Sequence, residues 1–160
     1  MDAAATRGAG FRSMQEKHDH LARTYQLLAD RGHRREVCLG GGLHAIYGTS
    51  LLHHSMMQQA DRSVARKRFG DAAERLAHLF SVLDRPRVLA EPLALDLERA
   101  VVELRGGERL ELSRRDFDDL RSIECANLAD QNALEDHPSL LTLWNGGGAR
   151  DDPRRLSRSS

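Results

Sequence analysis

Two histidines on separate helical segments, His20 and His44, are the side chains of this chain best suited to chemistry near neutral pH. An unperturbed imidazole titrates close to that pH, so either residue could serve as a general acid or base. Far downstream, Glu124, Asn127 and Gln131 recur at helical spacing on a face that also carries apolar residues. Buried polar side chains need partners. We therefore expect one shared polar pocket formed by His20, His44, Glu124, Asn127 and Gln131.

The expected roles in this pocket follow from residue chemistry. His20, His44 and Glu124 are the candidates for proton transfer, since imidazole and carboxylate groups can give or take a proton. Side chains with a hydroxyl or an amide could bind a polar substrate or stabilise developing charge. These substrate-binding candidates are Tyr47, Thr49, Asn127 and Gln131. The alternative interpretation is that the polar groups are satisfied core residues that only hold helices in register.

The periodicity of apolar residues predicts a mainly helical, all-α protein with one short β-hairpin. Helices are predicted over about 11–30, 34–47, 62–68, 71–83, 90–99 and 114–132, with a helical or irregular appendage from residue 138. Residues 100–112 alternate with period two around Gly106-Gly107, which is typical of a hairpin. Residues 1–10 and 145–160 are rich in small and polar side chains and are predicted to be disordered, so the domain spans 11–144.

Three local signals indicate how these helices begin and pack. Ser113 is predicted to cap the last long helix, and Asp71 with Glu74 three residues later matches a capping box. Residues 40–42 are three consecutive glycines, each of which opposes helix formation by about 1 kcal/mol. Either close helix packing offsets this cost, or the segment is locally irregular.

Length and charge limit the classes of function. A chain of 160 residues is one domain by the usual size prior and can bury a core without disulfides or metals. With 24 basic and 24 acidic residues, the formal net charge of zero does not favour nucleic acid or an anionic membrane as a partner. No apolar run approaches the roughly 18 residues of a spanning helix, and no signal-peptide core is present. We expect a cytoplasmic protein that binds a small molecule, with Cys38 and Cys125 as buried free thiols.

Four motifs follow one another along the chain. His20 lies on the first helix, His44 follows an apolar helix, Arg68-Phe69-Gly70 opens an amphipathic helix, and Ala126-Asn127 lies on the last long helix. This order resembles the HD hydrolase domain of RelA/SpoT-type alarmone enzymes, and it covers about 11–132. Three segments are also similar to an uncharacterised HD-related family that has generally lost its His-Asp pair: residues 43–49, 79–86 and 124–128. The resemblance implies an HD-domain-like helical bundle.

The resemblance also implies a metal site, but this chain lacks some of the residues that would bind the metal. The family's ligands would fall at His20, at His44, at the residue after His44 and at position 127. The last two are Ala45, which cannot ligate, and Asn127, a neutral and weak ligand. Hard divalent ions need carboxylate charge, so we expect no metal and no other cofactor. The alternative is a metal held by His20 and His44 with one further ligand, drawn from His18, His53, His54 and Glu124.

Three functions are compatible with this pattern. The first, which we expect, is an HD-fold small-molecule enzyme with a degenerate metal site, performing metal-independent acid/base chemistry of lyase, isomerase or cyclase type in bacterial metabolism. The second is a non-catalytic small-molecule-binding or accessory protein. The third is a metal-dependent phosphohydrolase or oxygenase with replacement ligands. No cluster of lysine or arginine near the motif residues marks a phosphate subsite, which disfavours nucleotide substrates.

Overall fold

The computed structural model describes residues 13–47 and 61–146, and in these ranges the chain is mainly helical with one small antiparallel sheet. The predicted disordered residues 1–10, the candidate Thr49, and His53 and His54 lie outside the described residues. The predicted disordered tail, residues 145–160, also lies outside the described residues, except that 145 and 146 belong to the last helix. The expected fold class, mainly helical with a short hairpin near 100–112, is confirmed.

The described part of the chain contains helices and strands, with a short 3-10 turn at Leu134–Asp136 before the last helix. Helices are α1 Met14–Asp30, α2 Arg35–Gly42, α3 Arg62–Phe69, α4 Asp71–Val82, α5 Arg87–Ala90, α6 Arg114–Asp130 and α7 Pro138–Gly146. Strands are β1 Ala94–Leu95, β2 Arg99–Glu103 and β3 Arg109–Ser113.

The sheet contains the predicted hairpin and a strand that was predicted as helix. Strands β2 and β3 pair antiparallel, and β1 pairs with the other edge of β2. The prediction of a helix over 90–99 is wrong. Pro92 opposes helix continuation, and the N–H of Leu93 donates to the carbonyl of Val101 on β2. Edge pairing with β2 therefore overrides the apolar spacing that suggested a helix.

Helix α2 packs closely against its neighbours through its glycines. A Cβ at Gly41 would overlap Leu28 Cδ1 of α1, and one at Gly40 would lie 3.1 Å from Leu76 Cβ of α4. Close packing is thus the reason that glycine occupies these helical positions. The helix ends at Gly42 and residues 43–47 form turns, so the predicted extension of this helix to Tyr47 is wrong.

Serine caps begin the two long helices that supply most of the site. Ser13 accepts a hydrogen bond from the N–H of Glu16, and Ser113 accepts one from Asp116, which confirms the predicted cap of α6. The predicted capping box at Asp71 is wrong. Gly70 is the N-cap residue of α4, and its φ of 92° favours glycine. Glu74 is buried and is bound by side chains of other elements.

The main core lies where α1, α2, α4, α6 and the sheet meet. Its largest fully buried side chains include Phe80, Phe117, Leu28, Leu76, Leu120 and Ile123. Cys38 and Cys125 are buried free thiols, as expected. Among the described helices, none is long and apolar enough to cross a membrane. The core therefore holds α1, α2 and α6 in fixed positions, which brings the predicted site residues together.

Candidate functional site

Three elements bring His20, His44 and Asn127 into direct contact. His20 lies on the buried stripe of α1, His44 in the turn after α2, and Asn127 on the buried face of α6. The Nε2 atom of His20 lies 2.9 Å from Asn127 Oδ1 and 3.3 Å from His44 Nε2. The exposed fractions are 1% for His20, 3% for His44 and 6% for Asn127. Three polar side chains thus converge in the interior, as the sequence pattern predicts.

His44 is held in one tautomer by the end of α2. Its Nδ1 lies 2.6 Å from the carbonyl oxygen of Gly41, so this nitrogen donates and Nε2 is left as an acceptor. The tautomer follows from this network of donors and acceptors. Burial lowers the pKa of His44 to about 3, and the positive charge of Arg85 acts in the same direction. His44 is therefore neutral near pH 7, and its Nε2 lone pair faces His20.

A carboxylate on α6 orients His20 from the other side. The Nδ1 atom of His20 lies 2.6 Å from Asp130 Oδ2, and Arg23 donates to both oxygens of the same carboxylate at 2.6 and 3.2 Å. Burial opposes ionisation of Asp130, but the hydrogen bonds from Arg23 and His20 outweigh it and lower its pKa. Asp130 is thus an anion that fixes the ring of His20 and can stabilise positive charge on it.

The described groups that face the two ring nitrogens of His20 are all hydrogen-bond acceptors. Asp130 takes the Nδ1 hydrogen of His20, while Asn127 Oδ1 and His44 Nε2 present only lone pairs to Nε2 of the same ring. All contacts are satisfied when His20 carries hydrogen on both nitrogens. The His20 ring therefore lies between a carboxylate and two acceptors.

The orientation of Asn127 depends on a buried ion pair. Its Nδ2 donates to Glu124 Oε1 at 3.2 Å, which directs Oδ1 toward His20. Arg85 NH1 binds the other oxygen of Glu124 at 2.6 Å, and its Nε donates to the carbonyl of Phe80 at 3.0 Å. The guanidinium carbon of Arg85 also lies 3.8 Å from the centre of the Phe80 ring. This ion pair forms the wall of the cluster behind Asn127.

Two other predicted site residues lie elsewhere in the described structure. The hydroxyl of Tyr47 donates to Glu74 at 2.9 Å, and the same carboxylate is bound by Arg62 and Arg66 at 2.6 and 3.2 Å. Burial, together with Glu74, raises the pKa of Tyr47 to about 12. Gln131 is the partly exposed C-cap residue of α6, and no hydrogen bond of the described part of the cluster involves it. The structure therefore brings together His20, His44, Glu124 and Asn127.

Sequence reasoning missed Asp130 and Arg85. Asp130 stands three residues after Asn127, which also places it on the same helical face. The helical spacing of Glu124 and Asn127 directed attention to Gln131 instead. Arg85 lies within residues 79–86, which were compared with the HD-related family as a segment, and no local pattern indicates that it would reach Glu124.

The donor set does not fit the metal that the HD resemblance implies. Ala45 provides no donor atom, and the nearby carboxylates of Asp130 and Glu124 are committed to His20 and Arg85. Within residues 13–47 and 61–146, no group of three His, Cys, Asp or Glu side chains could hold an ion. His18, one of the alternative ligands, is exposed on α1. Two imidazoles and a neutral amide lack the negative charge that a hard divalent ion requires.

A comparison with protein families matches residues 6–85 to the family described as Domain of unknown function (DUF6817). The match spans half of the 160-residue chain, and the chain belongs to this family. Comparisons with curated proteins and with solved structures found no match. The matched range contains His20, His44 and Arg85, whereas Asn127 and Asp130 on α6 lie beyond it.

Proposed function

We propose that this member of the DUF6817 family is a small-molecule enzyme of HD-like fold that performs metal-independent acid/base chemistry of lyase, isomerase or cyclase type. Its substrate would be a polar metabolite of the bacterial cytoplasm. The observation that supports the proposal is the buried array in which Asp130, His20 and His44 follow one another at 2.6 and 3.3 Å. A proton donor and a lone-pair acceptor meet there at one point.

In this proposal His20 is the proton donor and His44 the acceptor. Asp130 stabilises the protonated ring of His20, and the hydrogen bond to Gly41 keeps the Nε2 lone pair of His44 directed at the reacting atoms. A substrate group placed between the two imidazoles would receive a proton from His20. A negatively charged substrate would have to raise the low pKa of His44 before this ring could take a proton from it. Preorganised polar groups in a site from which water is excluded are effective because they need not reorient during the reaction.

The remaining polar residues would position the substrate. Asn127 presents its Oδ1 to the cluster and is more exposed than His20 or His44, at 6%. Glu124 acts through Asn127, because it accepts the amide hydrogen that fixes the orientation of this side chain. A substrate that approaches from the side of Asn127 and Asp130 would replace the contact between Asn127 and His20.

A non-catalytic accessory protein is the second candidate, and one observation favours it. Each polar side chain of the cluster already has a partner within the cluster, and His20, His44 and Glu124 are at most 3% exposed. A fully satisfied buried network can serve mainly to specify one packing arrangement of the helices. In that case substitution would change stability without removing any reaction.

Exchange of substrate hydrogen with solvent distinguishes the two candidates. The purified protein is incubated with a bacterial metabolite extract in D2O, and mass spectrometry records which compounds gain deuterium. An acid/base enzyme exchanges the hydrogen that it removes and returns, so the wild type should label at least one compound. His20→Gln and His44→Gln should abolish this labelling. His18→Gln, which alters an exposed histidine of the same helix, should leave it unchanged.

The measurement also has a clear negative result. Labelling that is the same with wild type, His20→Gln and no protein would contradict an enzymatic function. Melting curves of the variants, recorded in parallel, show whether a loss of labelling accompanies unfolding. Labelling lost in a folded His20→Gln protein can be assigned to the missing imidazole.

A further inference from the structure

A partly open cavity lies away from the histidine cluster, between the end of α1, one face of α6 and helix α7. Its volume is about 650 Å³, which is within the usual range for small-molecule sites. None of the residues that line it takes part in the His20 cluster. The lining that carries the inference consists of Arg31, Arg121, Ser122, Cys125, Leu143 and Trp144.

The acidic residues of this cavity are already neutralised. Asp118 is bound by Arg114 at 3.1 Å, and Asp119 is bound by Arg34 at 2.6 Å. Both carboxylates thus have guanidinium partners, although the charge of Asp118 also acts on Arg121. Among the residues that the structure describes, Arg31 and Arg121 form no ion pair with a carboxylate.

Arg121 carries an unmet hydrogen-bonding atom. Its Nε is buried and has no hydrogen-bond partner within residues 13–47 and 61–146, and its guanidinium carbon lies 5.4 Å from the centre of the Phe117 ring. Burial lowers the pKa of Arg121, against an opposing effect of the Asp118 charge. A buried donor without a partner is rare and unfavourable. The guanidinium group of Arg121 therefore has hydrogen-bonding capacity that the described residues do not use.

Arg31 also lines the cavity and is held in place by Trp144. Its guanidinium carbon stacks 3.3 Å from the ring centre, and its NH1 donates to the Trp144 carbonyl oxygen at 2.7 Å. Burial lowers the pKa of Arg31 as well. The guanidinium group makes no ion pair with a carboxylate of the described chain. The stacking orders the side chain in advance, which reduces the entropy lost when a ligand binds.

We propose that this cavity binds a small organic oxyanion that bears a phosphate or paired carboxylates. Its anionic group binds Arg121 and Arg31, and its apolar part contacts Leu143 and the Trp144 ring. Two guanidinium groups without an ion pair to a described carboxylate favour an anionic ligand, and the planar fork of arginine suits both phosphate and carboxylate oxygens. This site is separate from the histidine cluster, so the proposal is independent of the proposed function.

Trp144 is the only tryptophan of the chain and provides the assay. The full-length protein is titrated with inorganic phosphate, phenyl phosphate and succinate at constant ionic strength, and tryptophan fluorescence is recorded. We expect a saturable change with at least one probe. Phenyl phosphate should bind more tightly than inorganic phosphate because of its apolar ring. Comparison of phosphate with succinate distinguishes the two kinds of oxyanion.

The variants test whether the arginines hold the ligand. Arg121→Gln should weaken binding by roughly tenfold or more, because a charge-assisted hydrogen bond is lost. Arg121→Lys keeps the charge but not the fork, so it should bind with intermediate affinity. Arg99→Gln, which alters an exposed arginine paired with Glu111, is the matched control and should bind like the wild type. Circular dichroism confirms that each variant is folded.

The proposal is overturned by either of two results. One is a fluorescence titration in which no probe gives a saturable change at millimolar concentration. The other is equal affinity of wild type and folded Arg121→Gln, which would mean that the anion binds elsewhere. Calorimetry on Arg31→Gln provides a readout that does not depend on the stacking of Trp144, and it should show weaker binding than the wild type.

Discussion

Removal of the Glu124 carboxylate should destabilise the protein strongly, because it leaves the Arg85 guanidinium buried without a counter-charge. The two side chains are 1% and 7% exposed and their charged atoms lie 2.6 Å apart. Loss of one partner from a buried pair typically costs about 3–5 kcal/mol. Glu124→Leu also deprives the Asn127 amide of its acceptor, worth about 1 kcal/mol more.

The low ends of these two contributions add to an expected loss of about 4 kcal/mol. For a domain of this size that corresponds to a fall in Tm of roughly 8–16 °C. Arg85→Met should lose a similar amount, since it also removes the hydrogen bond to Phe80 and the stacking on its ring. The double variant Arg85→Met/Glu124→Leu removes both charges, so its loss should be clearly smaller than the sum of the two single losses.

Urea denaturation followed by circular dichroism measures these free energies of unfolding. Glu111→Leu breaks an exposed ion pair with Arg99 and is the control, for which we expect little change. A loss below about 1 kcal/mol for Glu124→Leu would refute the argument, since that is the level of a surface pair. Single losses that simply add in the double variant would refute it as well, because they would show that Arg85 and Glu124 are not coupled.

Three further predictions concern the metal, the glycines and pH. Elemental analysis of tag-free protein should find no equivalent of Fe, Mn or Zn; one equivalent that is lost in His44→Ala would contradict this. Gly41→Ala should destabilise the protein by about 1–3 kcal/mol, because its Cβ would overlap Leu28. Gly106→Ala is the control, since a Cβ there meets nothing within 4 Å, and it should change the denaturation midpoint little. Equal shifts of the midpoint in both variants would contradict the prediction. His44 has a folded pKa of about 3 against an ordinary 6.5, so the unfolded chain binds its proton first, and stability should fall as pH falls through this interval. The free energy of unfolding should therefore change with pH more steeply in the wild type than in His44→Gln. An imidazole NMR signal of His44 that titrates near pH 6.5 would contradict the low pKa of this residue.

Helix periodicity and turn signals were enough to predict most of the secondary structure. The hairpin near 100–112, the serine cap of α6 and the helical character of the remaining long segments are all confirmed. These features depend on residues close together in the chain, so they can be inferred from local patterns. The errors occur where contacts between distant segments outweigh local preference. Strand β1 pairs with β2, and Glu74 binds Arg62 and Tyr47 instead of capping α4.

Sequence patterns predicted some residues of the polar cluster and missed others, and the difference has a physical reason. A polar residue on an apolar helical face must find a partner inside the protein, which is why His44, Glu124 and Asn127 could be identified. The partner itself depends on how each helix is rotated and placed. Asp130 was missed because the choice between positions 130 and 131 depends on a rotation of about 100° about the α6 axis. Arg85 was missed because it lies in a connection with no periodicity.

The sequence by itself determined that the protein is mainly helical, that it has one hairpin, and that polar side chains interrupt the buried faces of α1 and α6. Only the tertiary structure decided which of those side chains meet. His20 binds Asn127 and Asp130 across 107 and 110 positions of the chain, and Arg31 reaches Trp144 across 113. Local periodicity specifies the face on which a residue lies, but contacts of such separation depend on helix packing. Packing also left the Nε of Arg121 without a hydrogen-bond partner among the described residues, in a cavity that Arg31 also lines, which no pattern of residue types in the chain indicates.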